Sequence, residues 1–493
     1  MIPWTIDAKD IGEINENDLV MTSSIREFLH SGERDRIFFV VAPKGIGKSL
    51  LLMYKRQLYE SKFGSDKKQR KEEIFLIPKD MPVDRSLDIT QATLTKEKEQ
   101  LLEDISQCKQ LWKFCLSISI IKNIIIYHKP KYLDELSKSI NKLFIESNFS
   151  KDIIALIKND NLITTGDIFI SVLKLGYSDI IKVIYEQNNI TGIIRNYIRS
   201  GVAVFIDNVD QSFEDYLRSK GPYSESSKNV WYTAQIGLIF AIYDLSSING
   251  HIKVFVSIRK EAFQRMRKVG SLGLQISGEA LDIAYTPNQL KEIFYKNINS
   301  MDERYLINKR FLKEDPLYSF LGLKDNKIES LNNIQEDIFC YIHRHSLKRP
   351  RDLMTIGKYL MEIDVKDRTQ ENIKRAINLA SHKILSDYIS EIYPFANIDY
   401  DRLFSLIPSN VLKKSDIIDI CRNYNCQSGC NEDKCYACSM THVFCTLYKF
   451  GLLGIIGRDM IHKEKFIQRF VQIGEIDYDE RVLPNSEFYL THP

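Results

Sequence analysis

Three stretches of the sequence predict an α/β fold built on a parallel sheet. The apolar run IFFVVAP at 37–43 leads straight into the glycines of KGIGKS and then into the helical SLLLMYKRQLYE. Two more apolar runs, at 202–206 and 252–258, flank the long helical stretch NVWYTAQIGLIFAIYDLSSI. A compact apolar run such as 37–43 belongs to a strand covered on both faces of a parallel sheet. Strand, helix, strand in that order implies a right-handed crossover between parallel neighbours.

Residues 1–36 are mixed in character, with a short helical pattern in Ile25, Phe28 and Leu29. The apolar strand, glycine turn and helix follow. KFGSDKKQRKEE at 62–73 reads as a charged loop whose basic run KKQRK is a solvated face, and a further strand is expected at 74–78. From about 94 to 199 apolar residues recur at three and four, as in LLEDISQCKQLWKFCLSISIIKNIII and YLDELSKSINKLF, which predicts a helical insertion. After the strands at 202–206 and 252–258, LDIAY is a short strand before the helix PNQLKEIFYKNIN. Residues 300–380 are helical with polar loops, and the remainder ends in the strand-like pieces LLGIIG, FIQRFVQIG and EFYLTHP. The expected division is 1–290, with the insertion at 94–199, then 291–384 and 385–493.

The chain of 493 residues is 44% hydrophobic and 27% charged, which excludes disorder as the main state. A formal charge of +3 excludes a polycation, so nucleic-acid binding would need a local patch. The most apolar stretch, 112–127, is interrupted by Lys113 and Lys122, so no membrane span is expected. The N-terminus lacks a basic segment followed by an apolar one, and a reducing cytoplasm is the expected compartment.

Ala42-Pro43-Lys44-Gly45-Ile46-Gly47-Lys48-Ser49 fits the phosphate-binding pattern [AG]xxxxGK[ST]. Glycines let such a loop turn its backbone N–H groups onto phosphate oxygens, and the helix beyond adds its positive end. Residues 43–50, through Leu50, are the expected nucleotide contacts. Lys48 is expected on the β- and γ-phosphates of ATP, and Ser49 on Mg²⁺.

VAVFIDNVD, beginning at Val202, is an apolar strand ending in acid. Ligands of open α/β sheets sit at the carboxyl ends of strands, which puts Asp207 beside the phosphate loop as a second Mg²⁺ ligand. Asp210, three residues on, is expected to orient or activate the attacking water. Asn208 stands where vigorous hydrolases carry Glu, so hydrolysis is expected to be slow. Arg259, at the end of VFVSIR, is placed to touch the γ-phosphate or the Asp207 region. Arg349 and Arg351 flank Pro350 at a helix start and form a candidate two-arginine clamp on a polyphosphate.

Cys426, Cys430, Cys435 and Cys438 lie on one polar loop with spacings of three, four and two residues. Four thiolates at that spacing suit a closed tetrahedral Zn²⁺ site with a structural role, or less readily an iron–sulfur cluster. Cys421, His442 and Cys445 are alternate ligands.

VVAPKGIGKS, VFIDNVD, VFVSIR, RPRDL, LYKFGLLGII and a terminal YLTHP together resemble the STAND-like P-loop ATPases of prokaryotes, relatives of the AAA+ and origin-recognition ATPases. The resemblance covers about 30–60, 200–290, 340–360 and 440–493, and leaves out the helical insertion. Its acidic motif reads hhhhDGhDE; Asp207 and Asp210 match, while Asn208 and Gln211 replace Gly and Glu. The family implies a helical lid at 291–384 and a winged helix at 385–493. It also implies a nucleotide-gated switch or assembly platform, commonly homo-oligomeric and used in antiphage defence. No effector segment is evident, which suggests a separately encoded protein partner. Alternatives are a DNA-binding ATPase of the origin-recognition type and a nucleotide-locked scaffold. Residues 385–493 hold eleven Lys/Arg against fifteen Asp/Glu, and nucleic acid is not favoured.

Overall fold

A computed structural model describes residues 3–7, 10–30, 38–63, 94–128, 133–199, 201–207, 209–219, 225–329, 335–392, 399–408, 411–424, 447, 452–458, 464–468 and 487–490. The expected strand at 74–78 and the four clustered cysteines lie outside them. The chain forms two compact units. The first comprises residues 21–44 and 48–283, and the second comprises 1–20, 45–47 and 284–493.

The first unit is built on a parallel four-stranded sheet of β1 (Phe39–Ala42), β2 (Val202–Ile206), β3 (Ile252–Arg259) and β4 (Ala280–Asp282), in the order β2-β3-β1-β4. Every residue of β1, β2 and β3 is buried, as the uniformly apolar β1 and β2 imply, and the burial extends to Lys253, Ser257 and Arg259 of β3. The α/β class with a parallel sheet is therefore as expected. Because β3 lies between β1 and β2, the acidic strand reaches the glycine loop across one intervening strand.

Among the described residues six α-helices lie between 96 and 197, the stretch read as a helical insertion. Asp104, Ser150 and Thr164 cap three of them by accepting backbone N–H bonds from the residue three further on. The insertion is joined to the sheet layer through helix Glu225–Ile248. Trp112 stacks on Phe169 with ring centroids 3.9 Å apart, and its Nε1 donates to the Ala234 carbonyl at 2.9 Å. Gly237 makes the helix approach feasible, since a Cβ there would stand 3.1 Å from the Cys108 backbone.

Lys55, on helix Lys48–Phe63, is fully buried. Its ammonium donates to the Phe28 carbonyl in the last turn of helix Ser23–His30 and lies 5.0 to 5.7 Å from the ring centres of Phe28, Phe255 and Tyr59. A helix C-terminus and aromatic faces both attract a cation, so this lysine is held inside the core.

In the second unit, helix Pro287–Asn299 starts with a Thr286/Gln289 capping box and proline at its first position. Two apolar clusters follow. One gathers Leu290, Phe294, Phe320, Ile342, Leu353 and Ile377, and the other Ile392, Tyr400, Leu403, Ile417 and Leu447. Helix Gln370–Ile392 contributes to both.

Residues 1–20, expected to open the nucleotide-binding domain, belong instead to this second unit. The reason is Trp4, which is buried in the first cluster between Phe294 and Phe320 and whose backbone N–H donates to Asn297 Oδ1 at 3.1 Å. Its indole occupies the space beside Gly357, where a Cβ would come within 2.1 Å of the ring.

β5 (Lys327–Glu329) and β6 (Gln335–Asp337) form a small antiparallel ladder. Four further strands, β7 (Val411–Leu412), β8 (Leu453–Arg458), β9 (Glu464–Gln468) and β10 (Glu487–Leu490), make an antiparallel sheet in the order β7-β10-β8-β9, with helix Lys414–Asn423 between β7 and β8. Among the described residues no helix is long and apolar enough to cross a membrane.

Candidate functional site

The glycine loop leaves the carboxyl end of β1 and turns on two residues with positive φ, Gly45 at 82° and Gly47 at 106°. Side chains rarely adopt such angles, so glycine at these positions is a conformational requirement. The helix begins at Lys48. Its ammonium donates to the Ala42 and Pro43 carbonyls at 3.0 and 3.1 Å and so closes the loop on itself. Burial lowers the Lys48 pKa; the carboxylates of Asp210, Glu261 and Asp207 oppose that shift, and Arg259 adds to it.

Asp207 follows β2. The parallel register pairs Ile206 with Val256, which brings the next residue, Asp207, to Ser257. The Ser257 hydroxyl donates to Asp207, and so does the Ser49 hydroxyl of the loop helix. Burial raises the Asp207 pKa, and these two bonds and Lys48 work against it. The structure thus brings together Lys48, Ser49 and Asp207, three residues that the sequence motifs selected independently.

Asp210 opens helix Val209–Ser219, and Trp231 Nε1 donates to its backbone carbonyl at 3.2 Å. Burial pushes its carboxyl up, but Arg259, Lys48 and Lys44 outweigh that and hold it below the usual range.

Arg259, expected on the γ-phosphate or the Asp207 region, meets acids next to that region. Its guanidinium is fully buried. Nη1 donates to Asp210 at 3.4 Å and to Glu214 at 3.2 Å, while Nε and Nη2 grip Glu261 at 3.2 and 3.0 Å. Gln235 accepts its backbone N–H, and the guanidinium lies 5.9 Å from the Trp231 ring centre. Each of its nitrogens thus lies on a carboxylate of Asp210, Glu214 or Glu261.

The expected clamp of Arg349 and Arg351 also divides. Arg349 is buried, forked onto Asp352 at 3.0 Å and joined to Glu391 at 3.0 Å, with its guanidinium 5.0 Å from the Tyr388 ring centre. Burial opposes its charge, but Asp352 and Glu391 raise its pKa further. It is a structural bridge between helices Pro350–Met361 and Gln370–Ile392. Arg351 donates its backbone N–H to the Gly45 carbonyl at 3.1 Å, and its Cβ lies 3.2 Å from where a Gly45 Cβ would be.

Sequence reading missed Glu214, Glu261 and Ser257. Glu214 sits four residues after Asp210 on the same helix, a spacing that places two carboxylates on one face. Its oxygens meet Lys44 at 3.0 Å and Arg259 at 3.2 Å, and burial raises its pKa. Ser257 alternates with Arg259 along β3, so both face the same side of the sheet.

Among the described residues no group of three metal-binding side chains is assembled. Cys421 is buried in the second apolar cluster, which accounts for it as a core residue. No protein-family model and no curated protein matches the chain.

Proposed function

We propose that the protein is an ATP-binding, slowly hydrolysing P-loop ATPase of STAND-like type that works as a nucleotide-gated switch or assembly platform. One observation carries the reading: a loop with two positive-φ glycines delivers Lys48 and Ser49 to the buried Asp207 at the end of the second apolar strand. The Ser49 hydroxyl and Asp207 carboxylate are hard oxygen donors beside a phosphate loop, a donor set that suits Mg²⁺.

Ser49 and Asp207 would hold the ion, which supplies positive charge against phosphate oxygens. Lys48 adds a second positive charge to the same loop. Asp210, oriented by Arg259, would orient the attacking water. Asn208, where vigorous hydrolases carry Glu, supports slow turnover.

The acidic C-terminal part, whose described residues include helices Tyr400–Ser405 and Lys414–Asn423 and an antiparallel sheet, supports a winged-helix module serving protein contacts rather than DNA. The chemistry of Cys426, Cys430, Cys435 and Cys438 supports one structural Zn²⁺ there. A separately encoded effector in antiphage defence, and homo-oligomeric assembly in the cytoplasm, complete the proposal through the family resemblance.

Titration with ATP and Mg²⁺ tests the site. Wild type should bind, Lys48→Ala should lose most of that affinity, and Asp210→Asn should bind without releasing phosphate. Equal turnover in Asp210→Asn would remove that residue from the chemistry.

A further inference from the structure

We propose that Lys44 and Glu214 form a counter-charge pair that sets the preference for nucleoside triphosphate over diphosphate. The inference rests on the nucleotide-site reading above. Lys44 is the third residue of the phosphate-binding pattern, four before Lys48, and its ammonium lies 3.0 Å from Glu214 Oε2. The other oxygen of Glu214, Oε1, accepts from Arg259 Nη1 at 3.2 Å, and that same nitrogen lies 3.4 Å from Asp210. Glu214 therefore stands between the loop and the arginine that orients Asp210. Its side chain is 2% exposed, whereas Lys44 is 23% exposed and has room to change partner.

The consequence is electrostatic. In this arrangement the charge of Lys44 is spent on Glu214, although the lysine belongs to the loop that meets phosphate. A triphosphate carries one more negative charge than a diphosphate, so it competes harder for Lys44 and is also repelled more by Glu214. When Lys44 turns to the nucleotide, Glu214 retains Arg259, and helix Val209–Ser219, which carries Asp210, loses its tie to the loop. Lys44 and Glu214 are specificity-determining residues and make no claim on the chemical step.

The test uses the full chain with Mg²⁺ and measures ATP and ADP affinities for wild type, Glu214→Gln, Lys44→Gln and the double variant. Glu214→Gln should raise the ATP-over-ADP ratio roughly tenfold, the scale of one charge–charge interaction across several ångströms of partly buried protein. Lys44→Gln should lower the ratio, and in the Glu214→Gln background it should erase the gain. A purely structural pair would move stability and shift both affinities together. An unchanged ratio in a folded Glu214→Gln protein overturns the proposal, as does an equal effect of Lys44→Gln in both backgrounds. If Glu214→Gln does not fold, Lys44→Gln decides alone, and an unchanged ratio there also overturns it. Binding that is lost in Lys48→Ala while the ratio ignores Lys44 and Glu214 defeats only this pair. Absence of nucleotide binding in wild type defeats the site itself and the pair with it.

Discussion

Arg259 Nη1 is shared between Asp210, at 3.4 Å, and Glu214, at 3.2 Å, one helical turn apart on the same helix. With Glu261 on its other nitrogens, this one cation neutralises carboxylates from two helices at the end of β3. Removing it leaves buried negative charge without its counter-ion, and such losses cost about 3–5 kcal/mol. Arg259→Met should therefore lower the urea midpoint strongly, with Asp210→Asn in the same background recovering part of the loss. The native carboxyl of Asp210 titrates below its unfolded value. Its stabilising contribution is thus full above the unfolded carboxylate range and disappears as pH falls through the lower folded value. Arg259→Met should weaken that acid dependence.

Gly45 is constrained twice, by a φ of 82° and by Arg351, whose Cβ lies 3.2 Å from the position a new Cβ would take. Gly47 is constrained by its φ of 106° alone, since nothing lies within 4 Å of a Cβ there. Gly45→Ala should cost at least the roughly 1–2 kcal/mol of forcing a side chain into left-handed space, with a further cost from displacing Arg351. Denaturation midpoints for Gly45→Ala and Gly47→Ala compare the two. ATP titration of the same proteins should show at least tenfold weaker binding for each.

His343 supplies a pH dependence in the second unit. Burial, reinforced by Lys348, lowers its pKa to about 4, and its ring stacks on Phe339 with centroids 5.9 Å apart. An unfolded histidine titrates near 6.5, so between about 6.5 and 4 the unfolded chain binds the extra proton and the folded one does not. Stability carried by the neutral ring is complete above 6.5 and is lost as pH falls toward 4. His343→Phe keeps the stacking area and removes the proton site. It should flatten the loss of thermal stability across that interval, and a slope equal to wild type would show that other groups cause it.

The four clustered cysteines make a compositional prediction. Protein purified without chelator should carry one equivalent of zinc, bound by Cys426, Cys430, Cys435 and Cys438. Metal binding to small thiolate modules releases on the order of 10 kcal/mol, enough to order a short polar segment. Stripping the metal should raise proteolytic sensitivity near residues 425–446 while leaving nucleotide binding intact. Less than about half an equivalent would contradict the closed four-thiolate site.

The sheet was legible because β1 and β2 are apolar at every position and lead directly into the glycine loop and Asp207, while β3 is a mostly apolar run that ends in Arg259. Lys48, Ser49 and Asp207 were legible because two local motifs have only one way to converge when their strands run parallel. The partners of the arginines were not. Arg259 and Arg349 both stand at helix starts that look open in the sequence. Each is closed by acids that sequence distance hides: Asp210 lies 49 residues from Arg259, and Glu391 lies 42 from Arg349. Trp4 was hidden for the same reason, since its backbone partner Asn297 is 293 residues away.

The strand order also sets a schedule for synthesis. β1 is flanked on both sides, by β3 and β4, and Phe39 must wait for Val256 and Ala280. Ribosomes add about 5–20 residues per second, so this apolar strand spends something like 10–40 s without either neighbour. Meanwhile the helices of 96–197 can collapse locally, since helical contacts close short loops quickly. Newly made chains should therefore pass through a stage with a formed helical body and an unpaired apolar strand, the species on which chaperones act and from which aggregates grow.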